Sequence, residues 1–155
     1  WTAKFSWDKL QSDFKGWHPD IQRVINLANK DECYRWALYS RPVVEKWSTD
    51  RVTILGDAAH STLPYLAQGA AMAIEDGAIL ARALLQSSNI PGGLELYQRN
   101  RYERTKRVVE TSNMNRRIFH LNSAAEIREH FSNRNEGDDR NGWLYSYNPL
   151  SVELT

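Results

Sequence analysis

One cysteine, Cys33, is the whole thiol content of this 155-residue chain. It cannot close an internal disulfide or build a multi-cysteine metal site, and this scarcity fits a reducing cytoplasm. The four histidines share no metal-ligand spacing, so no metal is expected. No apolar run reaches the roughly 20 residues needed to span a bilayer. Behind Trp1 there is no basic region leading into an apolar one, so no signal peptide is expected. The lack of an initiating methionine suggests a chain cut from something longer. Excess charge is also missing. The formal net charge is +1, which gives no reason to expect nucleic acid or an acidic membrane surface as partner. Finally, there is no Gly-x-Gly-x-x-Gly loop to cradle a diphosphate; the only adjacent glycines are Gly92 and Gly93.

What remains is ordinary for a globular protein, with 41% hydrophobic and 25% charged residues. The length suits one domain, or one piece of a larger enzyme. Residues 1–29 read as helical turns, with Trp7, Leu10, Phe14 and Trp17 at helical spacing and a break at Gly16. Pro19 suits a first turn, with Ile21, Val24, Ile25 and Ala28 as the apolar face. The aromatic stretch 32–40 reads as a strand. Residues 42–50 form a connection containing Trp47. The short apolar run 51–55 stops at Gly56, as a buried parallel strand does. Residues 67–86, nearly all small or apolar, predict a buried helix starting near Gly69. A loop at 89–93 and a long helix over 94–122 follow. Ser123 and Glu126 form a capping box for a further helix to Phe131. Residues 133–142 are polar and turn-rich. The aromatic tail from Trp143 to Pro149 is expected to dock on the body.

Ligands of open α/β sheets bind beyond the carboxyl ends of the strands, where Gly56-Asp57 would sit. Gly56 lets a ligand approach the backbone, and Asp57 offers an ionised acceptor for a sugar hydroxyl. Pro64 fixes the chain direction. Free N–H groups at the helix start after Gln68 favour an anion or an electron-rich carbonyl. Ala70, Ala73, Gly77 and Ala81 form a small-residue stripe that permits close packing.

Taken together, Arg51-Val52-Thr53-Ile54-Leu55-Gly56-Asp57-Ala58-Ala59-His60, then Pro64, then Gln68-Gly69-Ala70-Ala71-Met72-Ala73-Ile74-Glu75-Asp76-Gly77, resemble the second FAD-binding motif of the single-component aromatic hydroxylases. That family includes salicylate hydroxylase, 3-hydroxybenzoate 6-hydroxylase and 6-hydroxynicotinate 3-monooxygenase. Gly16-Trp17-His18-Pro19, Trp36-Ala37-Leu38-Tyr39 with Trp47, the long helix around Tyr97, Arg101, Arg104 and Val108, and Trp143-Leu144-Tyr145-Ser146-Tyr147 extend the likeness over nearly the whole chain. The resemblance implies an α/β fold: the C-terminal portion of a Rossmann-like FAD-binding hydroxylase, mostly helical here with a few strands. Residues 1–50 would be the edge of the substrate domain and a connection. Residues 51–88 would be the last FAD-domain strand and an FAD-contacting helix, and 89–155 a C-terminal helical segment with its docked tail. The cofactor would be FAD with NAD(P)H as co-substrate, and the substrate an aromatic small molecule, here a phenolic or hydroxy-aromatic acid. An N-terminal FAD-binding portion would be missing, and assembly as a homodimer stays open.

By the same resemblance, Asp57 would accept a hydrogen bond from the FAD ribityl or pyrophosphate region. Pro64 would lie beside the flavin. The N–H groups of Ala70 and Ala71, framed by Gln68 and Gly69, would meet the pyrimidine edge of the ring and stabilise its negative charge. No residue stands out as a dedicated acid or base. His60 reads equally as a cofactor neighbour or a buried structural histidine, His18 as a helix-entry residue, His120 as surface or packing, and Cys33 as a small buried residue. Glu75 and Asp76 read as packing or helix-terminus residues, because helix neighbours point apart. Two other readings stay open: a truncated, non-catalytic piece that binds no FAD, and a helical interaction module. The basic run Arg99, Arg101, Arg104, Lys106, Arg107, Arg116 and Arg117 would serve the latter. Interrupted by Glu95, Glu103 and Glu110, it reads better as a solvated helix face.

Overall fold

Polar caps set where the N-terminal helices begin. The computed structural model describes residues 2–132 and 141–155. The Ser6 side chain accepts the Lys9 N–H and opens α1 (Trp7–Asp13). Gly16, at φ 83°, then turns the chain. His18 caps α2 (Pro19–Leu27) by accepting the Asp20 N–H, with Pro19 in the first turn, as expected of a helix-entry residue. Residues 2–4 do not continue this helical pattern. They form β1 (Thr2–Lys4), antiparallel to β2 (Tyr34–Trp36), with Ala3 opposite Arg35. The expected strand over 32–40 is thus shorter, because each strand lasts only as long as the other supplies backbone partners. These elements form one compact unit ending at Leu38. The apolar face expected on α2 is open at Ile21, Val24 and Ala28 and half-buried at Ile25, and Cys33 is half-buried instead of enclosed.

The second unit runs from Tyr39 to Thr155. Its frame is α4 (Gly69–Gln86) packed against α5 (Ile90–Phe119). Of the loop expected at 89–93, residues 90–93 are already helix. Asn89 accepts the Gly92 N–H as N-cap and Pro91 occupies the first turn, where its missing donor costs nothing. One core cluster joins Trp47 to Ala59, Ile79, Ala83 and Tyr97. The Gln98 side chain secures it by accepting the N–H groups of Trp47 at 2.7 Å and Ser48 at 3.0 Å. A second cluster joins Met72, Val108 and Leu144.

Residues 51–55 make no strand ladder. Only Ser48 and Thr53 form a single antiparallel bridge, and Val52 is 64% and Leu55 40% exposed. A parallel strand needs a neighbour, and the described residues contain none for it. The capping box is present at α6 (Ala124–Ser132): Glu126 N–H bonds Ser123 Oγ at 3.1 Å, and Ser123 N–H bonds Glu126 Oε2 at 3.2 Å. Of the polar stretch 133–142, residues 133–140 lie outside the described residues. The tail docks as expected. It forms α7 (Gly142–Tyr145), which buries Leu144, and Arg82 donates to the carbonyls of Pro149 and Val152, both at 2.6 Å. Among the described residues no helix is long and apolar enough to cross a membrane.

Candidate functional site

Gly56 makes the turn that opens the site. Its φ of 57° and ψ of −141° lie where residues with a side chain are strained. A Cβ there would stand 3.2 Å from Ala73 Cβ, so the turn also lies hard against α4. Its carbonyl accepts the N–H groups of Ala59 and His60, both at 2.9 Å, and starts the short helix α3 (Asp57–His60). Asp57 follows at the surface, its carboxylate without a hydrogen-bond partner among the described residues. Arg41 donates to the carbonyls of Asp57 and Ala58 and braces the far side of the turn.

The chain then passes through buried Leu63 into a 3-10 turn, Pro64–Leu66, with Pro64 exposed at its head. Two side chains of α5 hold this loop: Ser112 Oγ donates to Leu63 O at 2.7 Å, and Asn115 to Tyr65 O at 3.3 Å. Ala67 takes the left-handed conformation at φ 53° and redirects the chain into α4. The α4 helix has no side-chain cap. Its first internal bond runs from Met72 N–H to Gln68 O, so the N–H groups of Gly69, Ala70 and Ala71 have no partner among the described residues. With the positive end of an 18-residue helix behind them, they form a ready acceptor of negative charge. Of the small-residue stripe, Ala73 meets Gly56, whereas Ala70, Gly77 and Ala81 face outwards.

Beneath this surface lies a charged core. Asp76 Oδ2 accepts the Gly56 N–H at 2.8 Å and His60 Nε2 at 2.6 Å; Oδ1 accepts Arg101 Nε at 2.7 Å. Facing a carboxylate, His60 Nε2 must carry the proton, and Nδ1 is left buried without a partner. Burial pushes the Asp76 carboxyl up, but the bonds from His60, Gly56 and Arg101 outweigh it and hold it below the usual carboxylate range. Glu75 behaves alike: burial raises it, and Arg104 and Arg101 more than compensate. Arg104 grips Glu75 with two bonds of 2.8 and 2.7 Å and stacks 3.8 Å over the Tyr147 ring. Arg101 and Arg104 therefore leave the solvated face on which the sequence pattern placed them. Arg101 is fully buried, because it answers carboxylates on α4 that only the tertiary fold brings near.

A protein-family model described as an FAD binding domain matches residues 1–112. The chain belongs to this FAD-binding family. It is 39% identical over 146 residues to 3-hydroxybenzoate 6-hydroxylase of Polaromonas naphthalenivorans, covering 91% of this chain and 36% of that one. It is 36% identical over 149 residues to 6-hydroxynicotinate 3-monooxygenase of Pseudomonas fluorescens, covering 95% and 34%. Among solved structures, HpxO of Klebsiella pneumoniae complexed with FAD and uric acid matches with a TM-score of 0.70 at 27% identity, over 83% of this chain and 34% of that one. A salicylate hydroxylase substrate complex shares the fold over the whole chain, with a TM-score of 0.81 at 24% identity and 39% of its own length. The chain thus spans little more than a third of the relatives it matches.

The residues singled out from the sequence occupy one stretch of this FAD-binding fold: Gly56 and Asp57 on the turn, Pro64 at the head of the loop, and Gln68, Gly69, Ala70 and Ala71 at the start of α4. His60 takes its structural reading, buried on Asp76. Asp76, Arg101 and Arg41, which hold the turn, were missed as site residues. The available signal was an adjacent Glu-Asp pair inside an otherwise nearly uncharged helix. Among the described residues no three His, Cys, Asp or Glu side chains gather to hold a metal.

Proposed function

We propose that this chain is the C-terminal part of a single-component FAD-dependent monooxygenase that hydroxylates a phenolic or hydroxy-aromatic acid using NAD(P)H and dioxygen. The observation that carries this reading is the uncapped start of α4 beside the glycine turn at Gly56. The donor set fits a flavin. Three unpaired N–H groups at a helix start suit the electron-rich pyrimidine edge, and the free Asp57 carboxylate suits ribityl hydroxyls. FAD, when bound, supplies the redox chemistry: it accepts a hydride from NAD(P)H and activates dioxygen.

The chain contributes position and electrostatics. Ala70 and Ala71, framed by Gln68 and Gly69, stabilise negative charge at the ring edge with N–H groups already fixed by the helix. Asp57 orients the ribityl end. Pro64, with no N–H to offer, gives the ring a rigid apolar neighbour. The diphosphate cradle and most of the substrate pocket belong to a further N-terminal portion. The exposed Val52, Leu55 and Ile74 support a covering polypeptide there, because large apolar side chains left in water favour burial. On this reading residues 1–50 edge the substrate domain, 51–88 complete the FAD domain, and 89–155 form the C-terminal helical segment. The single cysteine favours a cytoplasmic setting.

The missing Gly-x-Gly-x-x-Gly loop favours a second reading, a truncated piece that folds but holds no FAD by itself. Colour separates the two. The complete native polypeptide is expected to purify yellow and to oxidise NAD(P)H faster when a hydroxy-aromatic acid is added. A native polypeptide of this length that takes up no FAD would support the truncated reading instead.

A further inference from the structure

We propose that Asp76 is a positioning residue for the cofactor-facing turn, tying the Gly56 N–H and the His60 ring to α5 through Arg101. Its functional consequence rests on the FAD reading above; its geometry does not.

The two carboxylate oxygens divide the work. Oδ2 takes the Gly56 N–H and His60 Nε2, and Oδ1 takes Arg101 Nε. None of the three side chains reaches solvent: His60 is 1% exposed, and Asp76 and Arg101 are fully buried. Bulk water therefore cannot replace a lost bond. Only a group that accepts at both ends satisfies these three donors. An amide of the same shape turns one end into a donor facing a donor. Asp57 is bonded directly to Gly56, so fixing the Gly56 N–H fixes where the Asp57 carboxylate starts. Arg41, from the connecting segment, also holds the carbonyls of Asp57 and Ala58, so the turn is tied both to α4 and to that segment.

Glu75 provides the control. It neighbours Asp76 on α4 and pairs with Arg101 and Arg104, yet it makes no bond to the turn. Asp76→Asn and Glu75→Gln are to be compared in the complete polypeptide. Three readouts are needed: FAD dissociation constant by fluorescence titration, thermal midpoint, and amide exchange at residues 55–60. Both variants are expected to lower the midpoint. Asp76→Asn is expected to weaken FAD about tenfold or more, the loss of a charge-assisted bond, and to speed exchange at Gly56. Glu75→Gln is expected to leave FAD affinity within about threefold and Gly56 exchange unchanged. His60→Gln, whose amide can still donate to Asp76, is expected to behave like Glu75→Gln.

Equal loss of FAD affinity in Asp76→Asn and Glu75→Gln overturns the proposal, as does unchanged Gly56 exchange in Asp76→Asn. If Asp76→Asn does not fold, Arg101→Lys carries the test. It keeps a cation near Oδ1 but loses the guanidinium fork, so both Gly56 exchange and the FAD constant should rise; no change in either overturns the proposal. If the unaltered polypeptide binds no FAD, the functional reading falls, and the exchange comparison alone decides the positioning role.

Discussion

Arg101 and Asp76 meet at 2.7 Å between Nε and Oδ1, and neither side chain reaches solvent. The contact links α5 to α4 across 25 residues of sequence. Through the other oxygen of Asp76 it extends to the Gly56 turn, so a buried ion pair stands directly under the proposed cofactor surface.

Acid should therefore weaken the second unit through Asp76. Its folded-state carboxyl is held below the ordinary value, chiefly against burial, by His60, Gly56 and Arg101. A depressed folded value adds stability above the unfolded value of about 3.9, and that stability is lost as pH falls through the folded value. Urea unfolding midpoints are expected to hold steady from neutral pH to about 5 and to drop below that. Asp76→Asn should start lower and lose less on acidification. An identical acid slope in that variant would remove Asp76 from the account.

Base should act through Tyr97. Burial first, and then the nearby Asp76 charge, raise its phenol well above the ordinary value. A raised folded value means the stabilisation is complete below about pH 10 and is lost as pH climbs towards the folded value. Tyr97→Phe removes a long 3.4 Å bond to Ile54 O. It should cost at most about 1 kcal/mol at neutral pH and should flatten the alkaline loss, as read by circular dichroism.

Gly56→Ala places a Cβ 3.2 Å from Ala73 Cβ at a φ of 57°. Strain of this kind costs about 1–3 kcal/mol. Denaturant unfolding should show that loss, with FAD affinity falling alongside. The double change Gly56→Ala with Ala73→Gly should recover only the steric share, because the dihedral strain remains.

Arg104→Ala removes both bonds to Glu75 and those to the carbonyls of Trp143 and Leu144. Leaving the Glu75 carboxylate without this partner should cost about 3 kcal/mol. The tail should loosen with it, seen as protease cutting near Trp143 that the unaltered protein resists.

Local signals were legible in the sequence where one short stretch contains both halves of an interaction. Ser123 and Glu126 announce their capping box, Pro19 its helix, and the apolar run after Gln68 its helix start near Gly69. Gly56 reads in the sequence as a glycine that lets a ligand approach at the end of a strand; the structure makes it a positive-φ turn with no strand before it. Pairings across distance were not legible. Arg101 and Arg104 sit among solvated basic residues in the sequence, and only the packing of α4 on α5 reveals that Glu75 and Asp76 claim them. The strand expected at 51–55 failed for the opposite reason. Its pattern is that of a sheet strand, but a strand exists only with a neighbour, and none of the described residues supplies one. Asn89 reads as part of a loop with Pro91, Gly92 and Gly93, so its role as the cap of α5 comes only from the structure.

The central claim is that the start of α4 and the Gly56 turn form one face of a flavin site. The most direct measurement is an FAD titration of the complete polypeptide, followed by visible flavin absorbance and protein fluorescence, with Asp57→Ala beside it. The account predicts saturable binding of one FAD per chain, weakened about tenfold or more by Asp57→Ala through loss of its ribityl contact. A complete polypeptide that binds no FAD, or one whose affinity is indifferent to Asp57, would contradict it.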